Sequence, residues 1–175
     1  MKRTTNEVDI TVEIGDGTTR IDTGDKILDH MLRTLFFYMN RTARIEAKWD
    51  LRHHLWEDTG ITIALAIKEK LSGIKRFGNA VIPMDEALVM VAVDISRPFL
   101  NFALSYNDDE GFSLNLVREF YLAFSRTLGA TIHVIQMAGQ NSHHITEASF
   151  KALGKALGEA IQPSDRLEST KGIMT

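Results

Sequence analysis

His53-His54-Leu55-Trp56-Glu57 is written twice in this chain, returning as His143-His144-Ile145-Thr146-Glu147. The two copies of H-H-x-x-E hold four of its six histidines. On a helix, residues three or four apart share a face, whereas neighbours diverge by about 100°. His53 and Glu57 can therefore act together, while His53 and His54 cannot easily chelate one ion but can reach two. A single copy reads as a helix N-terminus with a polar first turn. Two copies predict a dinuclear metal site built from imidazole and carboxylate.

Hydrophobic periodicity around the motifs predicts an α+β fold. Val8, Ile10, Val12 and Ile14 alternate with polar residues as a half-buried strand, Gly15-Asp16-Gly17 makes a turn, and Thr18 to Thr23 reads as the hairpin partner. Ile27 to Asn40 carries a helical stripe, and Ala43 to Trp49 alternates again. The first motif then opens a helix through Leu71 that Gly73 ends. The second half repeats this order. Ala87 to Ile95 is apolar enough for a strand buried on both faces, and Phe99 to Ser105 is a second strand. Ser113 to Leu128 is an amphipathic helix, Ala130 to Met137 a strand, and the second motif opens a helix that Pro163 stops. The expectation is one domain over 1–175, made of two β-β-α-β-α repeats, about 1–80 and 81–175.

Composition narrows the function. With 44% hydrophobic and 25% charged residues, the chain can bury a sizeable core. A net charge of −3 gives no electrostatic case for nucleic acid or an anionic membrane. No apolar run approaches a membrane span, and Met1 to Asn6 lacks the apolar core of a signal peptide, which fits a cytoplasmic enzyme and leaves a secreted one open. The chain has no cysteine, so any metal must be held by N and O donors, which suits Mn, Fe, Ni or Zn.

The duplication extends beyond the motifs. His30 lies 23 residues before His53, and Glu119 lies 24 before His143. Glu7 and Glu86 open corresponding strands. Each half thus offers a carboxylate at a strand start, a His or Glu on its first helix and an H-H-x-x-E on its second. Alone, His30 is a core-edge histidine and Glu119 a solvated carboxylate; their places in the repeat make them candidate ligands. His133, on an alternating strand, is better explained as a hydrogen-bonded structural residue. Arg97 and Lys171 are either phosphate-holding cations or surface charges.

The chain resembles the imidazoleglycerol-phosphate dehydratase family. The resemblance rests on Leu28-Asp29-His30-Met31-Leu32, the first motif with Asp58, Arg76-Phe77-Gly78 and Pro83 to Leu88. It continues through Asp94-x-Ser96-Arg97-Pro98, the run from Gly139 to Ala152, and Ser169-Thr170-Lys171-Gly172. It implies helices sandwiched between two sheets (the ribosomal protein S5 domain 2-like fold) and a large symmetric homo-oligomer, a 24-mer, with active sites between subunits. It implies two Mn²⁺ per active site, held by His30, His53, His54, Glu57, His143, His144 and Glu147. The eighth ligand position, usually histidine, falls on Glu119. The catalytic glutamate falls on Glu7, and the residues that hold the substrate's phosphate on Arg76, Arg97, Ser169 and Lys171. The implied reaction is dehydration of D-erythro-imidazoleglycerol phosphate to imidazole-acetol phosphate in histidine biosynthesis. Leu51 and Arg52 depart from the acidic residues usual before the first His-His.

That reaction takes a proton from a carbon with no neighbouring carbonyl. Its electrons need another sink, which the substrate's imidazole becomes if two cations stabilise it as imidazolate. Two rival classes share the ligands. A dinuclear metallohydrolase of a small phosphorylated substrate typically wants bridging aspartates, which the repeat lacks. A non-enzymatic metal-binding assembly would need neither Glu7 nor a phosphate clamp.

Overall fold

The computed structural model describes residues 1–15, 17–166 and 168–170. Each half runs strand-strand-strand-helix-strand-helix. The first comprises β1 (Lys2–Thr4), β2 (Val8–Gly15), β3 (Arg20–Asp22), α1 (Lys26–Tyr38), β4 (Thr42–Trp49) and α2 (Arg52–Lys68). The second comprises β5 (Phe77–Met84), β6 (Ala87–Ile95), β7 (Phe99–Ala103), α3 (Leu114–Leu128), β8 (Ala130–Ala138) and α4 (Ser142–Ala160). Each sheet has four strands, ordered β1-β2-β4-β3 and β5-β6-β8-β7. The expected elements are present, with one further strand leading each half. β5 carries little alternation because Gly78, Asn79 and Pro83 interrupt it. It forms by pairing with β6 across the Asp85-Glu86 turn, where Asp85 adopts φ 48°, a conformation aspartate tolerates better than most residues.

Two expectations are corrected. Thr18 to Thr23 does not form a hairpin with β2: β1 occupies one edge of β2, β4 the other, and β3 runs parallel to β4 at the far edge. A three-residue strand carries too little pattern to choose its edge. β6 is buried on one face only. Ala87, Val89, Val91, Val93 and Ile95 meet the helices, while Leu88, Met90, Ala92 and Asp94 are half-covered on the outer face, because no helix lies on that side. In addition, α2 stops at Lys68, short of Leu71.

The helices lie between the two sheets, and their pairing crosses the halves: α1 packs on α4, and α2 on α3. Glycines permit both approaches. A Cβ on Gly60 of α2 would lie 2.7 Å from the Phe120 carbonyl of α3, and one on Gly154 of α4 2.5 Å from the Leu35 carbonyl of α1. Trp56, Phe120, Tyr121, Phe124 and Phe150 fill the centre of one continuous core drawn from both halves. No helix among the described residues is long and apolar enough to cross a membrane.

Candidate active site

Crossed helix pairing brings a candidate ligand of the first half, His30, to the second motif. His30, in the second turn of α1, places Nε2 2.9 Å from Glu147 Oε2, and His143 Nε2 lies 2.9 Å from the same oxygen. Donor atoms of His30, His143 and Glu147 all fall within 4.8 Å of one another, the one such cluster found among the described residues. Two imidazoles and a carboxylate oxygen suit a borderline divalent cation. Phe112 stacks on the His143 ring at 4.9 Å between centroids and fixes its plane.

Glu147 is buried, and its other oxygen, Oε1, accepts from Lys151 Nζ at 3.0 Å. Burial pushes its carboxyl pKa up, but hydrogen bonds from His30 and Lys151 outweigh that and hold it below the ordinary value. Lys151 thereby leaves Oε2 to face the histidines. It escaped notice in the sequence, although its spacing of four from Glu147 on a helix was the available signal.

The neighbouring histidines diverge. His144 turns away from His143, and its Nδ1 lies 2.7 Å from Glu86 Oε2 and its Nε2 3.4 Å from Asp85. Asn141 caps α4 through the His144 N–H. The hydrogen bond from His144, joined by the Gln140 and Asn141 N–H groups, lowers the Glu86 carboxyl to about 2, and Glu86 in turn raises the His144 pKa. In the first half, His53 Nε2 lies 3.5 Å from Glu57. His54 turns its Nδ1 to Asp50 at 2.7 Å, with Glu7 at 3.9 Å. Asp50 raises the His54 pKa. Glu7 and Glu86, which open corresponding strands, thus each stand beside the second histidine of a motif. Glu119, on the helix that packs on α2, is not part of the cluster and lies 3.4 Å from Arg118.

The start of α2 is anchored by Asp25, which sequence reasoning did not single out. Asp25 caps α1 by accepting from the Ile27 and Leu28 N–H groups. It also accepts from Arg52 Nε at 2.6 Å and from the buried Trp56 Nε1 at 3.0 Å, while Arg52 Nη1 donates to the Gly111 carbonyl. Arg52, where acidic residues are usual, therefore ties the helix that carries His53 to the one that carries His30.

Of the four candidate phosphate-holding residues, Arg76, Arg97 and Ser169 line one cleft of about 730 Å³ at the other end of the second sheet. Lys171 lies outside the described residues. Asp94 grips Arg76 through two oxygens, at 2.6 and 3.1 Å, and the Glu168 carbonyl accepts from its Nη1. Arg76 also donates its backbone N–H to the carbonyl of Ala160, the last residue of α4. His143 stands at the opposite end of that helix. At 1.5 Å per residue, the cleft and the cluster of one chain are roughly 25 Å apart.

Comparison with known proteins agrees with this picture. Residues 23–157 match the family model described as imidazoleglycerol-phosphate dehydratase. The chain is 53% identical to the imidazoleglycerol-phosphate dehydratase of Pyrococcus furiosus, covering 99% of this chain and 100% of that one. It is 43% identical to that of Campylobacter fetus, covering 98% and 97%. A crystal structure of the Pyrococcus furiosus protein superposes with a TM-score of 0.95 over 99% of both chains. One from Staphylococcus aureus superposes with 0.84 at 34% identity, over 94% of this chain and 98% of that one. With a family match across most of its length and close relatives end to end, this chain belongs to the imidazoleglycerol-phosphate dehydratase family.

Proposed function

We propose that the chain removes water from D-erythro-imidazoleglycerol phosphate to give imidazole-acetol phosphate, using two Mn²⁺ ions per active site. The observation that carries this reading is the convergence of His30, His143 and Glu147 on one point, joined to the names of the relatives. These three residues would hold one ion, and His53 and Glu57 begin the site of the other. His54 and His144, turned away from their own neighbours, are the ligands left to reach ions elsewhere, with Glu119 as the eighth position. Bound Mn²⁺ supplies Lewis acidity that stabilises negative charge on the substrate's imidazole ring.

The protein's own groups do the rest. Arg76 and Arg97, with Ser169 and Lys171, bind the phosphate and hold the carbon chain extended. Asp94 keeps the Arg76 guanidinium in one orientation, so its remaining N–H groups meet the phosphate without reorganisation. Glu7, exposed beside His54, takes the proton from the carbon next to the one that loses its hydroxyl. The C–H electron pair becomes the C=C of the enol as the neighbouring C–O bond breaks, the departing hydroxide takes up the proton that Glu7 accepted and leaves as water, and the enol tautomerises to the ketone. A positioned carboxylate in this role is worth about 10²–10⁴ in rate.

A separation of roughly 25 Å between cleft and cluster exceeds the reach of a three-carbon phosphate. That distance supports active sites completed between copies of the chain, and hence a symmetric homo-oligomer, for which the family resemblance suggests a 24-mer. A metallohydrolase fits less well, since the cluster contains no aspartate. The deciding assay follows product formation from imidazoleglycerol phosphate after chelation and after Mn²⁺ is restored. Water loss that returns with Mn²⁺ supports the proposal; a fully loaded protein that forms no imidazole-acetol phosphate overturns it.

A further inference from the structure

The duplication that produced the metal motifs also duplicated the corner in which the phosphate cleft sits. In the second sheet that corner lies where Asp94 pairs with Thr131, at the end of β6 and the start of β8. The equivalent pair in the first sheet is Gly15 and Thr42, at the end of β2 and the start of β4. A cleft of about 850 Å³ opens there too, lined among others by Arg33, Arg41, Lys70, Thr19, Thr42 and Phe37.

Charge distinguishes the two corners. In the second, Asp94 neutralises Arg76. In the first, glycine stands in the place of that aspartate, and none of the described residues lining the cleft is acidic. Arg41 Nη1 donates to the Asn40 carbonyl and Lys70 Nζ to the Ile14 carbonyl, so both are held by uncharged acceptors. Among the described residues neither has a carboxylate partner. Arg33 donates to the Ile21 carbonyl at 2.7 Å and lies 3.7 Å from Asp29, which leaves it only partly compensated. Three cations thus converge on one concave surface in a chain whose net charge is −3. Like charges gathered without counter-ions raise the local potential and favour a multivalent anion. Thr19, whose hydroxyl oxygen accepts from the Ala43 N–H, keeps its own hydroxyl proton as a donor, whereas Thr42 donates to the Gly15 carbonyl; Phe37, 76% exposed, offers an apolar wall at the rim.

We infer that this first-half cleft is a second anion site, taking a small phosphate-bearing molecule between Arg41, Lys70 and Arg33, apart from the metal cluster. The likeness to the Arg76–Arg97 cleft rests on the phosphate role proposed for that cleft, but the uncompensated cations stand independently of it.

Calorimetric titration of inorganic pyrophosphate into the Mn²⁺-loaded protein tests the inference, with Arg41→Gln/Lys70→Gln and Arg97→Gln as separate variants. Wild type should bind two equivalents per chain. The Arg41→Gln/Lys70→Gln variant should lose one, its affinity falling at least tenfold, with oligomer mass, Mn²⁺ content and thermal midpoint unchanged. Raising the salt should weaken that equivalent. Arg97→Gln should lose only the other. Pyrophosphate binding untouched by the Arg41→Gln/Lys70→Gln change, or a single equivalent abolished by Arg97→Gln, overturns the inference. Failure of Arg97→Gln alone to alter binding would instead count against the phosphate role of the second-half cleft.

Discussion

Asp25→Ala removes the residue on which α1 and α2, the helices that carry His30 and His53, meet, and its cost can be worked from the contacts. Loss of an N-cap costs about 1 kcal/mol, and the cap here is the pair of bonds from the Ile27 and Leu28 N–H groups. Trp56 Nε1 loses its partner within the core, a buried unmade donor that costs about 1–2 kcal/mol. Arg52 is about one-third exposed, so its guanidinium can turn to water, and the lost pair adds less than about 1 kcal/mol. The sum is about 3 kcal/mol, or a fall of about 6–12 °C in Tm for a chain of this size. Scanning calorimetry at one fixed protein concentration measures it, because oligomerisation makes Tm concentration-dependent. Mn²⁺ affinity should fall as well, since the helices that carry His30 and His53 lose their common anchor. A Tm within 2 °C of wild type would refute the reasoning. The pH dependence has a defined sign. Burial raises the Asp25 pKa, but hydrogen bonds from Arg52, Trp56 and the Leu28 N–H outweigh it, so the folded value lies below that of unfolded aspartate. The charge-dependent part of its stabilisation is therefore complete above about pH 4 and lost as pH falls through the folded value. The difference between wild type and variant should shrink only in that acid range.

Glu7→Gln keeps shape and one acceptor but cannot take a proton; kcat should fall by about 10² or more while oligomer mass and Mn²⁺ content stay normal, and near-normal turnover would remove Glu7 as the base. His53→Ala and His143→Ala should each empty both ions, read by elemental analysis, because each motif's histidines diverge toward different ions; loss of one ion with the other fully retained would contradict shared ligation. Chelation should lower the oligomer's mass in light scattering on dilution, since ion binding contributes to assembly when ligands come from two copies; an apo-protein that keeps its full mass would argue otherwise. Gly78→Ala should destabilise by about 3 kcal/mol or more, because its Cβ would lie 2.0 Å from the Ala156 carbonyl and 2.9 Å from the Ala160 nitrogen of α4; an unchanged urea midpoint would show that β5 can shift freely.

What was legible in the sequence is what depends on a few consecutive residues. The divergence of His143 from His144 follows from the 100° step of a helix, and the structure displays it as separate contacts to Glu147 and Glu86. Alternation marked β2, β4 and β8, because a strand with one buried face repeats every two residues, whereas β6 was legible only as an apolar run. Candidate ligands were readable for the same reason: the motif is local and occurs twice, and of those candidates the structure gathers His30, His143 and Glu147 into one cluster. Only the tertiary structure decided which half meets which. Nothing in the pattern of α1 says that its apolar stripe will bury against α4, where Gly154 admits the Leu35 carbonyl and His30 comes to Glu147. Nor could local pattern place β3 beside β4, show that β6 is covered on one side, or reveal that Arg52 and Trp56 share Asp25. Each of these depends on surfaces far apart in the chain finding one another as they leave water. Such a choice is made by the summed burial of whole faces, which no short stretch of sequence contains.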